Sequence, residues 1–308
     1  MRAAVIVVVL GLATLGACSD APPAPAPTMQ RALELIAART VLTYAARGLT
    51  PTGLALVAVR LRADGTTEWA QVNGDLPFYP ASVIKLFYLV ALHAAFDDGG
   101  IAETPELDRA ITDMIVDSGN DPTNYLLEVL TGASGGAELP PAELAAWMAQ
   151  RQAVTRFFQA RGYGNVNASQ KTWAEGPYGR ERQGYGPGFE LRNRATGNAI
   201  AKLWIEEIVR PIGARADTRR TLLARDFTVT SDNPQDMRTG FTGKALPAGA
   251  RLWSKSGWTS QVRHDSAYLE LPTGEKIVWV ILTQGVSTEK TLIREASRAL
   301  IAWLDHTR

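Results

Sequence analysis

At 308 residues, with 46% hydrophobic and 20% charged side chains and a formal net charge of +1, the chain has the composition of an ordinary globular fold able to bury a core without staples. No long run of one charge sign occurs, so neither nucleic acid nor an anionic membrane surface is indicated as a partner. A single cysteine, Cys18, excludes an internal disulfide framework.

In chain order, Met1-Arg2 precedes an apolar stretch, Ala3 to Leu15, too short to span a bilayer and suited to a secretory signal. It ends Leu15-Gly16-Ala17-Cys18, and small residues before a lone cysteine resemble the lipobox of bacterial lipoproteins. That resemblance implies removal of residues 1–17 and acylation of Cys18 as the new N-terminus, a lipid anchor of several chains. A plain cleaved signal with an incidental cysteine is the competing reading. Residues 21–27, Ala-Pro-Pro-Ala-Pro-Ala-Pro, read as a semi-rigid spacer within an 18–27 linker. The expected location is the bacterial cell envelope, with a domain of residues 28–308 facing the periplasm.

Leu33, Ile36, Ala37, Val41 and Tyr44 recur at helical spacing and predict a helix over 28–47. Gly53 to Leu61 and Thr66 to Val72, joined by Ala63-Asp64-Gly65, predict a hairpin. Ser82 to Phe96 is almost wholly apolar and reads as a helix buried on all sides. Polar helical pieces run to about Ile115, a loop covers Asp117 to Pro122, and helices are expected over 123–130 and 142–161. Between Gly162 and Gly188 stand seven glycines and two prolines without apolar periodicity, a long loop of the kind that carries function. A helix over 198–209, strands over 251–256, 266–271 and 276–283, and a closing helix over 288–305 complete the chain.

A hairpin at the start and a meander at the end predict a mixed α/β (α+β) fold in which both ends share one antiparallel sheet flanked by helices. An all-helical lobe, about 80–210, would be inserted in it, with a site between the lobes.

Three short motifs carry chemistry. Ser82-Val83-Ile84-Lys85 puts a hydroxyl and an amine on one helix face, the serine in the first turn. A lysine inside an apolar run loses proton affinity through desolvation and is able to activate a serine. Ser287-Thr288-Glu289-Lys290 repeats the pattern and reads as a helix N-cap. Ser118-Gly119-Asn120 offers a hydroxyl for proton relay and an amide for a substrate carbonyl. Ser231-Asp232-Asn233 is the textual rival, in an expected surface turn before Pro234. Lys255-Ser256-Gly257 on a strand offers a cation and a hydroxyl for a carboxylate, with a glycine permitting close backbone approach.

The ordered set, S-x-x-K opening a core helix, S-x-N between helices and K-S-G on a late strand, resembles the serine β-lactamase and penicillin-binding protein superfamily, its class A branch above all. The resemblance spans about 28–308. It implies that Ser82 is the acylated nucleophile, Lys85 and Ser118 the proton-transfer partners and Asn120 a substrate-amide contact. It further implies that Lys255 and Ser256 bind a substrate carboxylate, and that the Trp258 N–H completes an oxyanion hole with that of Ser82. The expected activity is β-lactam hydrolysis. The alternatives are a DD-peptidase, transpeptidase or esterase of the same fold, and a non-catalytic lipoprotein that binds cell-wall peptide.

Class A enzymes carry a glutamate that activates the hydrolytic water. Here Trp173-Ala174-Glu175-Gly176-Pro177 departs from that segment, so Glu175 is the first candidate, Glu190 the second and Glu181 the third, with solvated loop carboxylates as the competing reading. Arg263 is a further carboxylate ligand or, more simply, a surface arginine. Gly132-Ala133-Ser134-Gly135-Gly136 fits a hydrolase elbow, with His264 and His306 as bases, but lacks the preceding strand. With no metal-ligand or phosphate-loop motif, no cofactor is expected. The expected partners are a β-lactam or cell-wall peptide and the membrane, and the expected state is a monomer.

Overall fold

The computed structural model describes residues 27–173, 176–228 and 241–307. The first helix, α1 (Pro27–Tyr44), leads into strands β1 (Leu54–Leu61) and β2 (Thr67–Val72), then a two-residue strand β3 (Pro77–Phe78). A 3₁₀ turn, Ala81–Ile84, opens directly into α2 (Lys85–Asp97). The helical middle follows as α3 (Pro105–Ile115), α4 (Asn120–Thr131), α5 (Pro141–Arg151), α6 (Ala153–Gln159) and the short α7 (Gly179–Gly184). Strand β4 (Ala195–Thr196) pairs with β3, and α8 (Gly197–Leu203) runs on into a π-helical segment, Trp204–Val209. Then come α9 (Ala214–Leu223), β5 (Ala224–Arg225), β6 (Arg251–Trp258), β7 (Val262–Glu270), β8 (Lys276–Gln284) and α10 (Leu292–His306).

The main sheet has the order β2-β1-β8-β7-β6-β5, and its pairings are antiparallel. First and last strands therefore meet at its centre, Leu54 opposite Thr283 and Leu61 opposite Lys276. Strand alternation sends Val57, Val59, Val278, Val280 and Leu282 to one face, where α2, α3, α4, α6 and α8 pack, and Leu56, Ala58, Ile277, Trp279 and Ile281 to the other, against α1 and α10. Both faces being covered, β1 and β8 read as continuous apolar runs.

Helix α2 is the centre of the helical side: all residues from Lys85 to His93 are buried. Each of its large apolar side chains contributes roughly 1.5–3 kcal/mol by leaving water. A lysine and a histidine inside such a helix require partners.

Several expected boundaries move. The predicted 142–161 helix breaks at Gln152 into α5 and α6, and α10 begins at Leu292 instead of Thr288. Ser287 donates to the Ser260 carbonyl at 2.6 Å, so this second S-x-x-K caps no helix. Strand β7 begins at Val262, four residues before the expected start, because Arg263, His264 and Asp265 all lie in the sheet and are buried.

Candidate active site

The chain enters the site through a strained corner. Pro80 has φ −80°, and Ala81 follows at φ +47°, left-handed for a residue with a Cβ, at a cost of about 1–2 kcal/mol. The Val83 N–H then closes on the Pro80 carbonyl at 3.1 Å. Ser82 therefore sits in a 3₁₀ turn, a correction to the expected first turn of an α-helix, which begins at Lys85. The change tightens the motif, since three residues per turn bring i and i+3 into line.

Strand β6 lies flat against this corner. A Cβ on Gly257 would stand 2.7 Å from the Ser82 nitrogen, 2.8 Å from the Pro80 oxygen and 2.9 Å from the Val83 nitrogen. Only glycine admits that approach, which brings the strand backbone beside the serine N–H. Along the 254–258 segment no described residue pairs with the outer edge of β6, because β5 meets only Trp253 and Leu252.

Lys85 is fully buried, and its Nζ donates to the Ser118 carbonyl at 2.6 Å, Asn120 Oδ1 at 3.0 Å, the Gly119 carbonyl at 3.1 Å and Ser118 Oγ at 3.4 Å. Burial pulls its pKa down to about 7. Lys255, also fully buried, donates to Ser118 Oγ at 2.7 Å. Its pKa lies well below the ordinary value, first through burial and then through repulsion by Lys85. One hydroxyl thus stands between two lysines that disfavour each other's charge. Ser118 itself is left-handed at φ +59°, held by the Lys85 contact and by the Gly119 N–H bonded to the Asp113 carbonyl at 2.9 Å. Asn120 is the first residue of α4, where a loop was expected; Gly119 caps the helix with φ −57° and ψ 136°.

The pairing of β6 with β7 sorts the remaining candidates. Lys255 lies opposite Ser266 and Gly257 opposite His264, on the face toward Ser82. Ser256 lies opposite Asp265 and Trp258 opposite Arg263, on the other face. Ser256 is buried at the strand edge, and the Trp258 indole is 46% exposed at its end. Arg263 is buried, with its guanidinium 4.1 Å from the centre of the Phe241 ring, so the surface reading is corrected. Burial lowers its pKa, and the nearby Asp265 carboxylate acts against that shift.

The long loop after α6 is pinned by amide side chains. Asn193 Oδ1 accepts from the Gln170 N–H at 2.8 Å and the Ser169 N–H at 3.0 Å, and Asn167 Nδ2 donates to the Leu191 carbonyl at 2.9 Å. Asn124, one turn beyond Asn120 on α4, accepts from the Thr172 N–H at 2.9 Å, which draws this loop alongside the Lys85 pocket. The sequence carries no local signal for this pinning, because its partners stand 23 to 48 residues apart.

The carboxylates divide plainly. Glu181 is buried with its Oε1 at 2.7 Å from Arg151 and 3.0 Å from Lys171, whose Nζ also binds Glu128. Glu190 is exposed and accepts from the Gly188 N–H at 2.8 Å. Glu181 is thus an ion-pair partner and Glu190 a turn cap. Glu175, Cys18 and Ser231-Asp232-Asn233 lie outside the described residues. His264 is buried and bonded on both ring nitrogens, so it is no free base, and His306 is exposed at the end of α10. Among the described residues, no group of His, Cys, Asp or Glu could hold a metal, and no helix is long and apolar enough to cross a membrane.

Comparison with known proteins identifies the family of the chain. A family model described as the Beta-lactamase enzyme family matches residues 50–304. The chain is similar to the solved structure of a point mutant of PBP-A as an acyl-enzyme complex with penicillin G, at TM-score 0.62 and 21% identity over 93% of this chain and 99% of that one. It is also similar to a β-lactamase from Sphaerobacter thermophilus, at TM-score 0.60 and 19% identity over 88% and 98%, respectively. The third likeness is to the class A β-lactamase of the last common ancestor of Gram-negative bacteria, at TM-score 0.60 and 19% identity over 90% and 99%. No curated protein matches the chain. These likenesses show the fold, and the family match runs from just before β1 into the last turns of α10. The chain therefore belongs to the β-lactamase enzyme family and is a serine hydrolase.

Proposed function

We propose that β-lactams acylate Ser82 and that the acyl-enzyme is released to water, a class A-like β-lactamase activity. The observation that carries this reading is Lys85, an amine with a pKa of about 7, in line with Ser82 and joined through Ser118 to Lys255. Neutral Lys85 takes the Ser82 proton, directly or across the Ser118 hydroxyl, as Ser82 Oγ attacks the lactam carbonyl. The carbonyl oxygen gains its charge facing the N–H groups of Ser82 and Trp258, which Gly257 brings close. The carbonyl carbon–nitrogen bond then breaks, and the ring nitrogen receives the proton back through Ser118. Asn120 holds the substrate amide, while Lys255 and Ser256 reach a carboxylate lying beside β6 from its two faces.

Glu175 is the base proposed for hydrolysis of the acyl bond, since Glu181 and Glu190 are held elsewhere. That occupation of two of three carboxylates favours a second reading, a penicillin-binding peptidase acting on cell-wall peptide, in which the adduct persists. Attachment at Cys18 and a periplasmic location remain part of the proposal, tested by loss of fatty-acid labelling in Cys18→Ser.

Incubation with penicillin followed by intact-mass measurement tests the core of the reading. An adduct on Ser82 that appears and clears within seconds, and that persists in Glu175→Gln, is the expected result. Absence of any adduct refutes acylation. A persistent adduct in the parent chain assigns the peptidase reading.

A further inference from the structure

We infer that His264 is a positioning residue for acylation: its imidazole, braced on β8, holds the Tyr79 carbonyl and thereby fixes the strained corner that aims Ser82. This inference rests on the acylation of Ser82 proposed above.

The partners leave one protonation state. The Thr283 backbone N–H, which only donates, points at Nδ1 at 3.0 Å, and the Tyr79 carbonyl, which only accepts, lies 2.9 Å from Nε2. Nδ1 must therefore be bare and Nε2 protonated, a neutral ring with both nitrogens used. The imidazole is fully buried and meets the Phe78 ring edge-on, with centroids 6.1 Å apart.

Its position matters more than its bonds. His264 lies opposite Gly257 in the β6–β7 pairing. Where β6 gives up a side chain so that the corner can lie on the sheet, β7 supplies one that grips the corner's lead-in. Tyr79 is gripped from a second side by the Arg192 guanidinium, 3.5 Å from its ring centre, and β3 is paired to β4 just before it. Pro80 and the left-handed Ala81 then transmit the placement of the Tyr79 carbonyl to Ser82 through a short stretch of stiff backbone.

The groups around His264 give the brace a pH signature. Phe78 and the Tyr79 carbonyl face it from the lead-in, Gly257 from β6 and the Thr283 N–H from β8. The Arg263 and Asp265 side chains of its own strand turn to the opposite face, the Arg263 carbonyl stays beside the ring, and Lys255 lies one pleat along β6 on the same face as His264. Burial is the main cause that lowers the histidine's pKa to about 4, and the Tyr79 and Arg263 carbonyls, which accept from the charged ring, oppose it. Below that pH a second proton sits on Nδ1, where the Thr283 N–H loses its acceptor and the proton turns the ring toward the Arg263 carbonyl, away from its brace.

Two amides separate the ring's two bonds. In His264→Gln the amide nitrogen reaches the place of Nε2 and donates to Tyr79. In His264→Asn the amide oxygen reaches the place of Nδ1 and accepts from Thr283, with nothing left for Tyr79. The full chain and both variants would be compared for second-order acylation by a fluorescent penicillin between about pH 3.5 and pH 8, with folding followed by circular dichroism. At neutral pH the Gln variant should acylate near the parent rate and the Asn variant about 10- to 100-fold more slowly at a matched melting temperature. In the parent, the logarithm of the rate should fall with slope one below the Lys85 midpoint near 7 and with slope two below about 4. The Gln variant should keep slope one throughout.

Equal rates in Gln and Asn variants of equal stability would overturn the inference. If neither variant folds, the parent decides: a rate that keeps slope one while the imidazole nitrogen signals titrate overturns it, and a break that coincides with them supports it. A parent chain that acquires no adduct refutes the acylation reading itself, a result distinct from either.

Discussion

Gly257→Ala is expected to disable acylation while leaving a folded protein. The added methyl would meet three backbone atoms, at 2.7, 2.8 and 2.9 Å, where ordinary contact begins at 3.4 Å. No flexible side chain is there to yield, so β6 and the serine corner must separate by about 0.5–0.7 Å. The Ser82 and Trp258 N–H groups proposed to hold the carbonyl oxygen would then be drawn apart, and loss of one such donor costs about 100- to 1,000-fold in rate. Overpacking of this kind costs about 1–3 kcal/mol in stability, a shift of several degrees in Tm at most for a domain of this size. Acylation rates from quenched-flow mass spectrometry, set beside a thermal melt, measure both effects. A Gly257→Ala protein that acylates at the parent rate would refute the claim that close approach of β6 builds the oxyanion site.

The remaining predictions concern buried charge. The unfolded chain holds the Lys85 proton up to its ordinary pKa of 10.5, the folded chain only to about 7, so between these values unfolding takes up a proton and stability rises with pH. Lys85→Met removes this dependence; the parent should gain on it by up to roughly 5 kcal/mol from pH 7 to pH 10.5, read from denaturant melts, and a constant difference would contradict a buried lysine of lowered pKa. Glu181→Ala leaves Arg151 buried without its carboxylate and should cost about 3–5 kcal/mol; a Tm within a degree of the parent would show that the ion pair is not formed.

Much of the site was legible because its signals are local. Ser82 and Lys85 are three residues apart on an apolar helix, and a lysine there is conspicuous whatever the rest of the chain does. The face assignments of Lys255 and Gly257 follow from alternation alone. What escaped depends on distant partners. Glu181 looked like a loop carboxylate because Lys171, Arg151 and Glu128 are well removed from it along the chain, and only the fold gathers them. Arg263, His264 and Asp265 interrupt an apolar pattern, so the strand seemed to begin after them; each is tolerated in the sheet because a partner answers it. The 3₁₀ turn at Ser82 has no sequence signature, since it arises from a strand pressing on the corner.

The central pairing of β1 with β8 has a consequence for how the molecule is made. Leu54 meets Thr283 only after 228 intervening residues have been ordered or looped out. Contacts of such sequence separation form late and slowly, because the closure entropy is lost before any pairing repays it. An N-terminal fragment therefore lacks the middle of its sheet rather than an edge, and truncation near the end of the chain is as damaging as truncation near the start. The serine corner, resting on β6 and β7, takes its shape only once the last strand has arrived.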